Sequence, residues 1–202
     1  MATAGRKRSF DTDQALDQAM RVFWENGFAG TSMADLTSAL GINKPSLYAA
    51  FGNKEQLFHA AVTHYVEHYG NPLLTSLLEP AEAPFVDRLQ AFMLATVEQQ
   101  CSEAAPRGCF MVKGCVESGS VSMPQELTET MQTLTAELES GLREVFEKEK
   151  INGNLDASVD TREFAGYVLT MMYGMSVMAK RGKSCEELKS IVEAAVKNMS
   201  VT

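Results

Sequence analysis

A short polar segment in the first third of the chain carries residue types that bind nucleic acid. Lys44 can pair with a phosphate or with a guanine edge, and Ser46 can donate or accept a hydrogen bond. The Tyr48 hydroxyl can donate to a phosphate oxygen, whereas Pro45 offers only apolar contact. These residue types, so close together, indicate a surface that touches a duplex and distinguishes among bases.

A second candidate for chemistry is the cysteine of the Arg-Gly-Cys-Phe segment at 107–110. A thiol in the first turn of a helix and beside an arginine is expected to have a stabilised thiolate, which favours reaction with electrophiles or oxidants. A buried, inert Cys109 is the alternative. With Cys101, Cys115 and Cys185 it lacks CxxC spacing, so we predict four free thiols in a reducing, cytoplasmic compartment.

Metal binding and catalysis have little support in the sequence. His64 and His68 are four residues apart but lack a nearby cysteine or a third ligand, and His59 falls on another helix face. We therefore predict a solvated helix face there, with no metal and no cofactor. There is also no phosphate-binding glycine loop, nucleophile elbow, HExxH motif or carboxylate pair, which argues against an enzyme.

Helical periodicity runs along the whole sequence and predicts an all-α fold of about nine helices. The first has one apolar stripe with a period of 3.6 residues, formed by Ala15, Leu16, Ala19, Met20 and Phe23. Asp11 or Thr12 is expected to cap it, and Gly27 is expected to end it. No segment has the alternation of a strand.

The next two predicted helices are short and are separated by a glycine-containing turn. Thr31 or Ser32 is expected to cap the second helix, which runs through Leu40. Asn43 can cap the third, whose inner side carries Leu47, Ala50 and Phe51. Two such helices form a helix-turn-helix, in which the second helix enters the major groove of DNA.

Further helices are predicted along the remainder of the chain. The fourth is expected from Lys54 to Tyr69, with a break at Gly70-Asn71-Pro72 and an uncertain stretch up to Pro84. Later helical patterns lie near 84–101, 107–118, 124–150, 160–181 and 184–199, with a long loop at 152–160.

The net charge of −8 does not exclude a nucleic-acid partner, because the acidic excess is uneven. Residues 1–60 hold six Lys and Arg against six Asp and Glu, whereas residues 61–202 hold twelve against twenty. The basic arm at 6–8 can follow the DNA backbone or enter the minor groove, with a disordered tail as the alternative. Without a long apolar run or a secretory signal, no membrane partner is expected.

Three strings in this region resemble the TetR/AcrR family of transcriptional regulators. They are GFAGTS at 27–32, LGINKPSLY at 40–48 and FGNKE at 51–55. The resemblance implies an N-terminal helix-turn-helix domain over 1–53 and a helical ligand-binding and dimerisation domain over 54–202. The chain departs from the usual pattern at Asn43-Lys44-Pro45 and at Ala49-Ala50, so the operator sequence is not predicted.

The resemblance also implies contacts to DNA. Phosphate contacts match Thr31, Tyr48 and Lys54, with Ser32 beside the first of them, and base contacts match Lys44, Pro45 and Ser46. For Tyr48 the alternative is packing, for Lys54 a solvated charge, and for Thr31 a helix cap.

The function that the resemblance implies is a repressor that binds a palindromic operator as a homodimer and is released by a small-molecule or thiol-reactive inducer, although activation stays open. The Arg-Gly-Cys segment looks like that of family members inactivated by electrophiles, which makes Cys109 a candidate thiol sensor. A candidate ligand pocket consists of Phe92, Phe110, Met111 and Met131, with ordinary core as the alternative.

The resemblance implies that the last two long helices pair with their copies in a dimer interface. A long apolar stretch over 164–178 contains Gly166 and Gly174, which would allow close approach of a partner helix, with intramolecular core as the alternative. The rival to a regulator is an acidic helical adaptor that binds only protein. Salt-dependent DNA binding would separate the two.

Overall fold

The computed structural model describes residues 11–78 and 83–199, and its regular structure there is helical. The helices are α1 (Thr12–Asn26), α2 (Met33–Leu40), α3 (Lys44–Phe51), α4 (Lys54–Tyr65), a π-helical turn (Val66–Gly70), α5 (Asn71–Leu78), α6 (Phe85–Cys101), α7 (Phe110–Glu117), α8 (Gln125–Ile151), α9 (Thr161–Lys180) and α10 (Cys185–Asn198). The π turn joins α4 to α5 without interruption, so these three elements count as one continuous helix and the described residues form nine helices. This confirms the all-α prediction. The basic arm at 6–8 lies outside the described residues.

Side-chain caps fix the first three helices where the sequence predicts them. The Asp11 carboxylate accepts hydrogen bonds from two backbone N–H groups of α1, and α1 ends at Gly27, which has a φ of 78°. Ser32 begins α2 in a reciprocal capping box with Asp35. The Asn43 side chain accepts from the Ser46 N–H at 2.9 Å. These local bonds explain why the boundaries of α1, α2 and α3 agree with expectation.

The predicted break at Gly70-Asn71-Pro72 is wrong. The helix continues there, because a π turn carries α4 into α5 and the Asn71 N–H donates to the carbonyl of Val66, five residues earlier. Pro72 is the second residue of α5 and directly follows the π turn, where the regular i→i−4 hydrogen bonding is already interrupted, so its missing N–H is tolerated.

Two apolar clusters form the core. The N-terminal cluster contains buried residues of α1 to α4 and also Phe110 and Met111 of α7 and Leu127 and Met131 of α8. The C-terminal cluster joins α5, α6, α8, α9 and α10. In packing, α4 therefore belongs with the helix-turn-helix, and α7 lies against it. The domain division at residue 53 stays a prediction.

A buried ion pair joins two helices of the C-terminal cluster. Arg88 Nη2 of α6 lies 2.6 Å from Glu149 Oε1 of α8, and each side chain is only 10% exposed. Arg88 Nη1 also donates to the carbonyl of Leu77 in α5 at 3.2 Å. One guanidinium thus connects three helices. Within the described ranges, no helix is long and apolar enough to cross a bilayer.

Candidate functional site

The predicted recognition helix α3 has one buried and one exposed side. Leu47 is fully buried in the N-terminal cluster, which anchors the helix, and Phe51 is half-buried. Lys44 and Pro45 are exposed, Ser46 is half-buried, and Tyr48 is 44% exposed, which is high for an aromatic side chain. The side that faces solvent is therefore the side predicted to contact DNA.

Lys44 and Tyr48 lie one helical turn apart and form a pair on this exposed face. Lys44 Nζ lies 5.9 Å from the centroid of the Tyr48 ring, within the range of a cation–π interaction. The pair places a positive charge next to a phenolic hydroxyl. Together they can offer an ionic and a neutral hydrogen bond to one stretch of phosphate backbone.

The predicted contact residues outside α3 differ in how far they are exposed. Thr31 is buried and its hydroxyl donates to the carbonyl of Gly27 at 2.7 Å, so this placement does not support the predicted phosphate contact by that hydroxyl. Ser32 is exposed, and its hydroxyl oxygen accepts from the Asp35 N–H. Lys54 is half-buried with Nζ 4.2 Å from the Phe28 ring centroid, and burial lowers its pKa.

A long-range contact ties the helix-turn-helix to α7. The Phe28 N–H, in the turn between α1 and α2, donates to Glu117 Oε2 at 2.7 Å. Lys113 Nζ lies 3.2 Å from the other oxygen of the same carboxylate. On the opposite side of the junction, Lys180 of α9 pairs with Glu25 of α1 at 2.8 Å. Nothing local in the sequence indicates the contacts of Phe28 and of Lys180, because each joins residues that are far apart in the chain.

Cys109 lies at the start of α7, as its N-cap residue. The Tyr65 hydroxyl donates to its sulfur at 3.2 Å, and its own N–H donates to Ser176 Oγ at 2.8 Å. Burial raises the pKa of the thiol, although hydrogen bonds from Tyr65 and from the first N–H groups of α7 act in the opposite direction. The net effect disfavours the thiolate.

The expectation that Arg107 stabilises a Cys109 thiolate is wrong in this structure. Arg107 Nε donates to the carbonyl of Ala179 at 3.1 Å, and Nη2 donates to that of Lys183 at 2.7 Å. The guanidinium therefore binds one carbonyl in the last turn of α9 and one in the loop that follows this helix.

All four cysteines are free, as predicted. Cys101 lies at the end of α6 and Cys185 at the start of α10, both packed against the C-terminal cluster. Burial, together with the neighbouring Cys185 thiol, raises the pKa of Cys101 to about 11.

The residues predicted to form a ligand pocket are divided between the two apolar clusters. Phe92 is buried in the C-terminal cluster, whereas Phe110, Met111 and Met131 are buried in the N-terminal one. Periodicity indicated correctly that they are buried but could not indicate which residues they contact.

The His64 and His68 rings stack at 4.0 Å, and His64 Nε2 is 3.8 Å from Asp17 Oδ1. Among the described residues, no group of three or more His, Cys, Asp or Glu side chains is placed to hold a metal ion.

Most of the chain matches models of known protein families. Residues 15–61 match the family model "Bacterial regulatory proteins, tetR family", and residues 86–195 match "Tetracyclin repressor-like, C-terminal domain". The chain is 32% identical to the HTH-type transcriptional repressor ComR of Escherichia coli (strain K12), over 93% of this chain and 88% of the relative. It is 26% identical to the HTH-type transcriptional repressor NemR of the same strain, over 88% and 87%.

Solved structures agree with these matches. A cysteine-substituted variant of the TetR family transcriptional regulator CifR, complexed with 26-base-pair double-strand operator DNA, is 34% identical with a TM-score of 0.88. The match covers 96% of this chain and 99% of that one. Since the C-terminal family match alone spans more than half of the sequence, and the exposed α3 lies in the N-terminal match, this protein belongs to the tetR family of bacterial regulatory proteins and is a DNA-binding transcriptional regulator, not an enzyme.

Proposed function

We propose that the protein is a cytoplasmic repressor that binds a near-palindromic operator as a homodimer and is released by a small-molecule or thiol-reactive inducer. The observation that carries the proposal is the exposed face of α3, where Lys44, Ser46 and Tyr48 surround the buried anchor Leu47. The relatives ComR and NemR are named repressors, and the CifR variant was solved on operator DNA, which supports the same role here.

An apolar stripe on α9 supports the homodimer. Tyr167, Met171, Gly174 and Met178 recur every three to four residues, and Tyr167 and Met178 are more than 40% exposed. Gly174 has no neighbour near its Cα that a side chain would meet within the protomer. A stripe of this kind allows close approach of a second α9. A dimer matters because one short helix contacts few bases, whereas two read both half-sites.

Other residues of the same helix belong to the core of the protomer. Val168, Met172 and Met175 are buried within the C-terminal cluster, so they act as intramolecular core. The dimer surface that we propose therefore consists of the residues between them on the outer side of α9, extended by the exposed Ile191 of α10.

A thiol-reactive inducer would act through α7. This helix begins at the Cys109 cap and ends at Glu117, whose carboxylate holds Phe28 in the helix-turn-helix. An adduct on the Cys109 sulfur would break its hydrogen bond with Tyr65 and crowd the start of α7. We expect this to displace α7 and break the hydrogen bond between Glu117 and Phe28. Treatment with N-ethylmaleimide should lower the operator affinity of the wild type and leave Cys109→Ser unchanged. Equal decreases in both would contradict a role for Cys109.

The central experiment is selection of bound sequences from a random duplex library by the purified protein. We expect one near-palindromic motif to be enriched by the wild type and by Lys197→Ala, an exposed control on α10, but not by Lys44→Ala combined with Tyr48→Ala. Retention of the same motif by the double variant would contradict recognition through α3. Failure of the wild type to enrich any duplex would favour the adaptor function instead.

A further inference from the structure

A cleft of about 180 Å³ opens where α1, α7 and α9 meet. Its apolar walls come from Trp24 of α1, Val112 and Val116 of α7, and Val177 of α9, and Cys109 also lines it. Sites for drug-sized ligands have volumes of roughly 300 to 1,000 Å³, so this cleft suits a smaller molecule. It lies between the helix-turn-helix and the C-terminal helices.

The charges that line the cleft are all positive. They belong to Arg107, Lys113, Lys180 and Arg181, and no acidic residue lines the cleft. Lys113 and Lys180 have carboxylate partners, but those partners lie outside the lining. Arg107 is bonded to two backbone carbonyls, which leave its formal charge uncompensated. Charges of one sign on low-dielectric walls concentrate the field, which favours an anion.

One residue that lines the cleft carries a buried donor without an acceptor. Trp24 is only 1% exposed, and within the described structure its indole N–H has no hydrogen-bond partner. Buried polar groups in folded proteins are nearly always paired, so an unpaired one calls for an explanation. An acceptor oxygen of a molecule bound in this cleft would give the Trp24 N–H a hydrogen-bond partner.

The position of the cleft connects its occupancy to the DNA-binding helices. Trp24 lies three residues before Gly27, where α1 turns towards α2, and α7 ends on Phe28 through Glu117. On the side of α9, Gly108 and Cys109 pack tightly, because a Cβ at Gly108 would lie 3.1 Å from the carbonyl oxygen of Ser176. A ligand in the cleft would therefore separate α1 from α7 more readily than α7 from α9.

We infer that this cleft binds a small organic carboxylate with an apolar body, and that its occupant is an inducer of the repressor. The carboxylate faces the cationic rim and the Trp24 N–H, and the apolar body contacts the valine walls. The inducer role rests on the proposed function. The binding site itself does not.

Binding can be observed directly, because Trp24 is the only tryptophan of the chain. The probes are benzoate and hexanoate, with benzamide and hexanamide as neutral counterparts of similar shape. We expect saturable changes in Trp24 emission with at least one acid, and on the order of tenfold weaker binding of its amide, since hydrogen bonds to a charged group are the stronger ones.

Two substitutions on exposed lining residues test the charge requirement. Arg181→Glu and Val116→Glu should each weaken binding of the acid by roughly tenfold or more, whereas Lys197→Glu, which makes the same charge change as Arg181→Glu away from the cleft, should leave it within about twofold. Equal affinities for acid and amide, or unchanged binding in both lining variants, would overturn the assignment.

Operator binding is measured separately, by anisotropy of the selected duplex. A decrease of operator affinity on addition of the acid, at concentrations that saturate the emission change, supports the inducer role. No emission change with either acid, while the operator is still bound, overturns the cleft inference and leaves the repressor proposal standing. If the protein binds the acid saturably but selects no duplex, the cleft is confirmed as a binding site and the inducer role is contradicted.

Discussion

The carboxylate of Glu117 accepts a hydrogen bond from the backbone N–H of Phe28, and 89 residues separate the two in the chain. The approach is possible because Gly27 has no side chain, since a Cβ there would lie 1.7 Å from Glu117 Oε1. A charged acceptor on a backbone donor makes a strong bond. The end of α7 is thereby attached to the turn that sets the position of α2.

Replacement of Glu117 by alanine should lower the free energy of unfolding by about 1 to 3 kcal/mol, because the half-buried Phe28 N–H is left without its charged acceptor. Urea unfolding followed by circular dichroism measures the change. Lys113→Ala is the matched control: it removes the ion pair with Glu117 but keeps the bond to Phe28, and should cost only about 0.2 to 1 kcal/mol. Equal destabilisation of the two variants would show that the bond to Phe28 contributes little.

Lys44 and Tyr48 should differ in the salt dependence of operator binding. If Lys44 contacts a phosphate in each half-site, Lys44→Ala should reduce the slope of log K against log salt by about 1.8 for a dimer. Tyr48→Phe removes only a neutral hydroxyl and should lower affinity by roughly threefold to tenfold at every salt concentration. Anisotropy titrations over a salt series measure both. An unchanged slope in Lys44→Ala would place the ammonium group on a base edge or off the DNA.

The first three helices were predictable because their determinants are local. Asp11, Ser32 and Asn43 cap helices through bonds to residues two or three positions away, and these bonds are visible in the sequence as residue types. The role of Arg107 could not be predicted from the sequence, since the carbonyls of Ala179 and Lys183 come within reach of its guanidinium only after α9 has packed beside it. The hydrophobic pattern likewise indicated which residues are buried, but it could not indicate which residues they contact.

The buried pair of Arg88 and Glu149 should be costly to break. Glu149→Ala removes one carboxylate from contact with a guanidinium that is about nine-tenths buried, and should lower the free energy of unfolding by about 3 to 5 kcal/mol. The exposed pair of Lys189 and Glu98 provides the comparison, and Glu98→Ala should cost at most about 1 kcal/mol. Denaturant midpoints of the two variants test the difference. Similar midpoints would mean that water reaches the Arg88 pair.

Folding should protect Cys101 from alkylation near neutral pH. Its pKa of about 11, raised by burial and by Cys185, keeps the thiolate fraction at neutral pH far below that of an ordinary cysteine. The rate of reaction with iodoacetamide, followed by peptide mass analysis, should rise about tenfold per pH unit from about pH 7 to about pH 10. A plateau near the ordinary pKa of about 8.5 would contradict this. Protein unfolded in urea is the control and should show that plateau.

Substitution of Gly174 should affect the stability of the protomer and the formation of the proposed dimer in opposite directions. Gly174→Leu meets no atoms within the protomer, and a better helix former should raise protomer stability by roughly 0.5 to 1 kcal/mol. On the proposed dimer stripe the same side chain should prevent close approach and yield monomers in analytical ultracentrifugation. Gly166→Leu, equally open within the protomer but off that stripe, should remain dimeric. A dimeric Gly174→Leu would move the interface elsewhere.

The π turn at 66–70 lies between the two stretches that match the family models. Compared with a plain α-helix, it accommodates one surplus residue, and each residue of an α-helix changes the side-chain direction by about 100°. Because the widened turn absorbs that surplus residue, deletion of a single codon here would leave a more regular helix and keep the direction of α5 relative to α4 nearly unchanged. A single-codon deletion within α4 or α5 removes a residue that no widened turn absorbs, and it would therefore change the angular phase between the two halves of the protein by about 100°.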